Sequence, residues 1–143
     1  MPRRLFVAVA GALGAGYAGL LGYPVYRYLA SPIETAALNA AVTEVTLPDA
    51  INLPRASALI FRFGTKPALL IHHEDDTWTC FSAVCTHLGC TVQYQAAQRR
   101  IFCACHGGVY DPATGKPVAG PPPKALTAFR VEIQDGKLTV HRT

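Results

Sequence analysis

Cys85-Thr86-His87-Leu88-Gly89-Cys90 and, after a short spacer, Cys103-Ala104-Cys105-His106-Gly107-Gly108-Val109-Tyr110-Asp111 are the stretches whose chemistry decides what this chain is. They gather four of its five cysteines and two of its five histidines. Residues 91–95 and 100–103 between them read as strands, which makes the two motifs facing loops at one end of a sheet. Thiolates are soft donors suited to zinc and to iron–sulfur clusters, and imidazole serves zinc and iron. Two closely spaced Cys/His pairs therefore fit a structural zinc site as well as an iron–sulfur centre.

The order Cys-x-His, spacer, Cys-x-x-His resembles the Rieske iron–sulfur family, in which two histidines replace two cysteines on one iron and raise the potential. The resemblance implies one [2Fe-2S] cluster, with Cys85 and Cys103 on one iron and His87 and His106 on the other. Each imidazole would reach toward the surface, where it can exchange a proton as the electron moves. The resemblance also implies a Cys90–Cys105 disulfide tying the loops together, a feature of respiratory members that oxygenase ferredoxins lack. Leu88 belongs to the first loop, and Tyr110 would donate a hydrogen bond to the sulfur of Cys103. Gly120-Pro121-Pro122-Pro123 stands where the family carries a proline loop, and proline's fixed backbone without an N–H suits Pro122 to a stiff apolar lid.

Two positions depart from the family pattern. Ala104 replaces a common proline, at some cost in loop rigidity. Gly108 stands where high-potential members carry a serine whose hydroxyl donates to a bridging sulfide. Hydrogen bonds to cluster sulfur stabilise the reduced state, so a lower potential is expected, one that suits a low-potential quinol such as menaquinol.

The function implied is that of the iron–sulfur subunit of a cytochrome bc-type oxidoreductase, inactive alone. It would take an electron and a proton from quinol held by a membrane cytochrome b subunit, through His87 or His106, and pass the electron to a c-type cytochrome. The alternative is an electron-relay subunit of a periplasmic molybdenum oxidase resembling arsenite oxidase, with which Gly108 and the short domain are compatible, whereas the retained anchor and Tyr110 favour the bc-type reading.

From Leu5 to Tyr26 no charge interrupts the sequence, and roughly 22 residues at about 1.5 Å each can cross a bilayer core of about 30 Å. Arg3 and Arg4 precede it, which places the following domain on the extracytoplasmic side by the positive-inside rule. An oxidising exterior also preserves disulfides. Pro2-Arg3-Arg4-Leu5-Phe6 resembles a twin-arginine export signal lacking its flanking serine or threonine and lysine, and a plain anchor is the other reading. No A-x-A cleavage site follows, so the segment is read as a retained anchor. Ala10, Gly14, Ala18 and Gly22 recur at four-residue intervals, a pattern that lets membrane helices approach closely.

The domains expected are an anchor over 1–30, a linker over 31–41 that is either a short helix or a flexible neck, and a redox domain over 42–143. Alternating or β-branched stretches at 42–47, 58–63, 68–73, 77–83, 91–95, 100–103, 128–134 and 137–141, split by turn signals, predict a mainly β fold. It is read as an antiparallel sandwich with the cluster loops at one tip. Cys80 reads as a buried small hydrophobe, and His72, His73 and His141 as surface or edge residues without a ligand role. The net charge of +4 is spread over the chain, with no basic run interleaved with aromatics, and gives no nucleic-acid signature.

Overall fold

In a computed structural model, which describes residues 2–143, the chain divides between Leu38 and Asn39 into two compact units. Helix α1 spans Arg3–Ala41 and is long and apolar enough to cross a membrane. Residues 31–41, open between short helix and flexible neck in the sequence, are helical throughout. Ala36, Ala37, Ala40 and Ala41 supply the best helix-forming side chain there. Pro24 and Pro32 each withhold one backbone donor, and Thr35 Oγ1 donates back to the Ser31 carbonyl at 2.8 Å.

The unit Asn39–Thr143 is built from strands in two antiparallel sheets. The first contains β1 (Glu44–Leu47), β2 (Ser57–Phe63), β3 (Lys66–His72), β4 (Trp78–Ser82), β9 (Ala128–Gln134) and β10 (Lys137–Arg142), in the order β1-β10-β9-β4-β3-β2. The second, β5-β6-β7-β8, comprises Gln93–Gln95, Arg100–Cys103, Gly108–Tyr110 and Pro117–Ala119.

Strand β3 explains how the sheets combine. Its side chains alternate faces, and both faces are buried. Leu69 and Ile71 join Phe81, Val92, Ile101, Tyr110 and Leu126 in one core, while Ala68 and Leu70 join Phe63, Cys80, Leu138 and Val140 in the other. Each such aliphatic side chain contributes about 1.5–3 kcal/mol on leaving water. The first core also contains Cys85 and Cys103, so the two candidate cysteine ligands are built into the packed interior. Cys80 packs in the second core, and burial pushes its thiol up to about 12.

His72 is not an edge residue. It is 7 % exposed, because hydrogen-bond partners satisfy both ring nitrogens. Nδ1 meets the Leu53 carbonyl at 2.7 Å and Nε2 meets Asp76 at 2.9 Å, while the ring stacks on Trp78 with centroids 3.9 Å apart.

Strands β7 and β8 lie outside the sequence expectation. The turn joining them is organised by Asp111, whose Oδ1 accepts from the Thr114 N–H and hydroxyl, both at 2.7 Å, and from the Ala113 N–H at 3.2 Å. The Thr114 hydroxyl foremost, against a smaller opposing effect of burial, holds this carboxyl below its usual range. A carboxylate depressed in the fold stabilises it above the unfolded value and loses that contribution as pH falls through the folded one. Asp111→Ala is expected to cost about 1 kcal/mol at neutral pH, with the difference from the parent shrinking toward about pH 3. Chemical unfolding of both proteins across that range is the check, and a pH-independent difference would contradict the assignment.

Candidate metal centre

The two motifs close into similar turns. In the first, Gly89 N–H donates to the Cys85 carbonyl at 3.0 Å and Cys85 N–H to the Cys90 carbonyl at 2.8 Å. In the second, between β6 and β7, Gly107 N–H donates to the Cys103 carbonyl at 3.1 Å. A disulfide joins Cys90 to Cys105, and so one loop to the other. Cys85 and Cys103 are buried at 5 % and 2 % exposure, while His106 is exposed and His87 half-buried. The two imidazoles meet edge to face with centroids 4.9 Å apart. Leu88 stands out from the first loop at 70 % exposure.

Two observations fit this group of side chains to an iron–sulfur group. Nδ1 of His87 is buried without a hydrogen-bond partner, a situation that costs free energy unless something coordinates it. Both free thiols of the site are surrounded by donors. Burial opposes ionisation of Cys85, but hydrogen bonds from the Tyr110 hydroxyl and from the His87 and Leu88 N–H groups prevail and hold it below the ordinary thiol value. At Cys103 burial prevails and pushes the thiol up, although N–H groups of Cys105 and His106 also face its sulfur. Donors directed at sulfur are what an electron-rich cluster needs from its surroundings. The Sγ atoms of Cys90, Cys103 and Cys105 also lie within 4.8 Å of one another, but two of these sulfurs are bonded together and are not available as ligands.

The hydroxyl of Tyr110 corrects one expectation. It lies 3.2 Å from the sulfur of Cys85, not against Cys103, and accepts from the Thr86 N–H at 3.0 Å. The register explains this. Tyr110 pairs with Ile101, one pleat away from the Cys103–Gly108 pair, so its ring runs through the core beneath the second loop and its hydroxyl reaches the first. Tyr110→Phe is expected to cost about 1–3 kcal/mol, because it strands the Thr86 N–H. It should also lower the midpoint potential by removing a donor to Cys85. Thermal unfolding and a redox titration are the two checks, and an unaltered midpoint would remove Tyr110 from potential tuning.

The proline segment packs directly on the second loop. Gly120 adopts φ +84°, and a Cβ there would meet the Gly107 carbonyl oxygen at 2.7 Å and Gly108 Cα at 2.9 Å. Pro122 is buried, with its Cγ 2.7 Å from the position a Cβ on Gly108 would take. Sequence reasoning missed Thr86, which pins this segment to the first loop by donating its hydroxyl to the Lys124 carbonyl at 2.7 Å. A threonine and a carbonyl 38 residues apart leave no local signal.

Comparison with known proteins agrees with this geometry. The family model described as "Rieske [2Fe-2S] domain" matches residues 43–130. The cytochrome b6-f complex iron-sulfur subunit of Chlorobaculum tepidum is 35% identical over 132 residues, covering 92% of this chain and 70% of the relative. A chain of a hyperthermophilic respiratory Complex III is similar at a TM-score of 0.54 and 28% identity, over 92% of this chain and 98% of the other. The cyanobacterial plasma membrane Rieske protein from Synechocystis PCC 6803 shares the fold at a TM-score of 0.56 and 22% identity, over 69% of this chain and 95% of that one.

Proposed function

The chain belongs to the Rieske [2Fe-2S] family, and on that premise we propose that it is the electron-transfer subunit of a membrane-bound bc-type complex. It accepts an electron, coupled to a proton, from quinol at a cytochrome b subunit and passes the electron to a c-type cytochrome. The observation that carries this reading is the Cys90–Cys105 bridge between two loops that also bring His87 and His106 together. The names of the relatives, subunits of cytochrome b6-f and Complex III assemblies, support it.

Cys85, Cys103, His87 and His106 would hold the single cluster. When bound, it supplies a one-electron acceptor whose mixed thiolate and imidazole ligation raises its potential. The protein's own groups do the rest. His87 turns Nδ1 inward, which leaves Nε2 to hold a proton. The imidazole of His106, exposed at the tip, is open to a hydrogen bond from a hydroquinone hydroxyl and to the proton that follows. Leu88, next in the chain to His87, offers exposed apolar surface on the first loop, and Pro122 covers Gly108 on the Cys103 side. Residues 1–30 would anchor the chain, 31–41 form its neck, and 42–143 stand as the redox domain on the extracytoplasmic side, where the bridge is stable.

The test is a low-temperature EPR redox titration of native membranes, with and without an inhibitor occupying the quinol-oxidation site. A Rieske signal whose shape or midpoint responds to the inhibitor is the expected result. A signal that ignores the inhibitor would favour the relay role beside a molybdenum oxidase, and no signal would sink the cluster assignment.

A further inference from the structure

Most carboxylates of the redox domain and its unpaired cations gather at opposite ends. Strand β3 begins at Lys66 on the side of the cluster loops and ends at His72, where the Glu74-Asp75-Asp76 turn follows. The Arg99–Glu74 ion pair brings the turn between β5 and β6 to that far end. Thr79 brings Asp111 and its turn there by donating to the Pro112 carbonyl at 2.9 Å. Asp49 and Asp135 join them, because the Leu47–Leu138 and Gln134–Lys137 pairs lie at the ends of β1 and β9 remote from the Ala128–Phe81 pair.

Around the loops the balance reverses. Thr86 donates to the Lys124 carbonyl at 2.7 Å. The Ala83 N–H, just ahead of Cys85, donates to the Pro67 carbonyl at 2.9 Å. Lys66 precedes that proline, and Arg62 pairs with it across the hairpin. Arg62, Lys66 and Lys124 are exposed, and among the described residues none of the three enters an ion pair. By contrast, Arg55 and Arg99 at the far end are matched by Asp76 and Glu74. The two remaining carboxylates, Glu44 and Glu132, lie against His141.

We propose that Arg62, Lys66 and Lys124 form a cationic docking rim beside the cluster loops, and that the protein receiving the electron presents a carboxylate-rich face to it. The loops carry the exposed His106, so whatever takes the electron comes against this rim. Opposite charges reach one another over about 30 Å at about 10 mM salt and over only about 8 Å at about 150 mM. Steering of this kind raises association rates by about 10–1,000-fold. The identity of the partner rests on the electron-transfer role proposed above, whereas the rim rests on the charge distribution.

The experiment uses the full chain in detergent. Iron, acid-labile sulfide and the EPR signal are measured first, so that failure of the electron-transfer reading is recorded separately. The reduced chain is then mixed by stopped flow with an oxidised soluble c-type cytochrome of net negative charge, and separately with one of net positive charge. Between about 10 and 200 mM salt the second-order rate with the negative cytochrome should fall by more than about tenfold, and that with the positive one should rise. Lys66→Glu combined with Lys124→Glu should lower the low-salt rate with the negative cytochrome by more than about tenfold and flatten its salt dependence. Added negative charge near the cluster makes it a better donor, so a slower rate in this variant reports docking. Lys116→Glu combined with Lys137→Glu makes the same change in net charge at the far end and should leave the rate near the parent value. Equal losses in the two double variants would overturn the proposal, since net charge alone would then account for them. A salt-independent rate in the parent would overturn it as well. So would a rate that stops depending on Lys66 and Lys124 once the chain sits in nanodiscs containing phosphatidylglycerol, because the rim would then be lying on lipid headgroups.

Discussion

Replacing both Cys90 and Cys105 with serine is expected to remove about 3 kcal/mol of stability, the loop-closure contribution of a bridge spanning about 15 residues, the separation observed here. The loss falls on the loops. The strand pairing of neither sheet runs through the bridge, because β3, β4, β9 and β10 are joined by ladders in the first sheet and β5, β6, β7 and β8 by ladders in the second. What remains between the loops is the Tyr110 hydroxyl against Cys85 and Thr86, and behind them the Thr86 contact with Lys124. Individual hydrogen bonds of this kind contribute about 1 kcal/mol each, so they do not replace the bridge. The double variant should therefore keep its β-sheet signature while releasing iron faster, by roughly a hundredfold if the full 3 kcal/mol appears in the opening equilibrium. Bleaching of the cluster's visible absorbance under a chelator, followed beside far-ultraviolet circular dichroism, separates the two effects. Parent and variant bleaching at the same rate would mean that the bridge does not hold the loops closed.

The site was legible in the sequence to the extent that its chemistry is local. Cys85, His87, Cys103 and His106 announce themselves because ligand types recur at short spacing, and the bridge between Cys90 and Cys105 followed from the family those spacings resemble. The longer strands were legible because alternation over several residues, as in β2 or β9, carries a period. Strands β7 and β8 have three residues each in a stretch of glycine, proline and threonine, too short for a period to emerge, and exist because β6 and each other give them partners. The target of Tyr110 depends on register, which no single-strand pattern contains. His72 shows the same limit. A histidine at a strand end reads as exposed until Leu53, Asp76 and Trp78, from three other segments, close around it. The crowding at Gly108 was equally invisible, since its cause is Pro122.

That crowding shapes the second large prediction, for Gly108→Ser. A hydroxyl at this position would give the cluster a donor, and a hydrogen bond to a charged acceptor is worth about 1.5–3 kcal/mol. For a one-electron couple, where a tenfold change in equilibrium constant corresponds to about 59 mV, this is a rise of about 60–130 mV. The same substitution puts a Cβ 2.7 Å from Pro122 Cγ and 3.2 Å from its Cδ, both inside van der Waals contact, and overpacking of this kind costs about 1–3 kcal/mol. The two effects fall on different observables. The donor acts on the difference between oxidised and reduced states, whereas the clash acts on folding and is shared by both. Gly108→Ser should therefore show a higher midpoint together with a lower unfolding temperature. Combining it with Pro122→Ala removes the ring atoms that the new Cβ meets, and should recover part of the stability while keeping the higher midpoint. An EPR-monitored titration and thermal unfolding of both variants decide the matter. If the midpoint stays at the parent value in the double variant, where the serine has room, a hydroxyl at this position does not tune the potential. The glycine is then explained by packing alone, as the residue that lets the proline segment lie directly on the second loop.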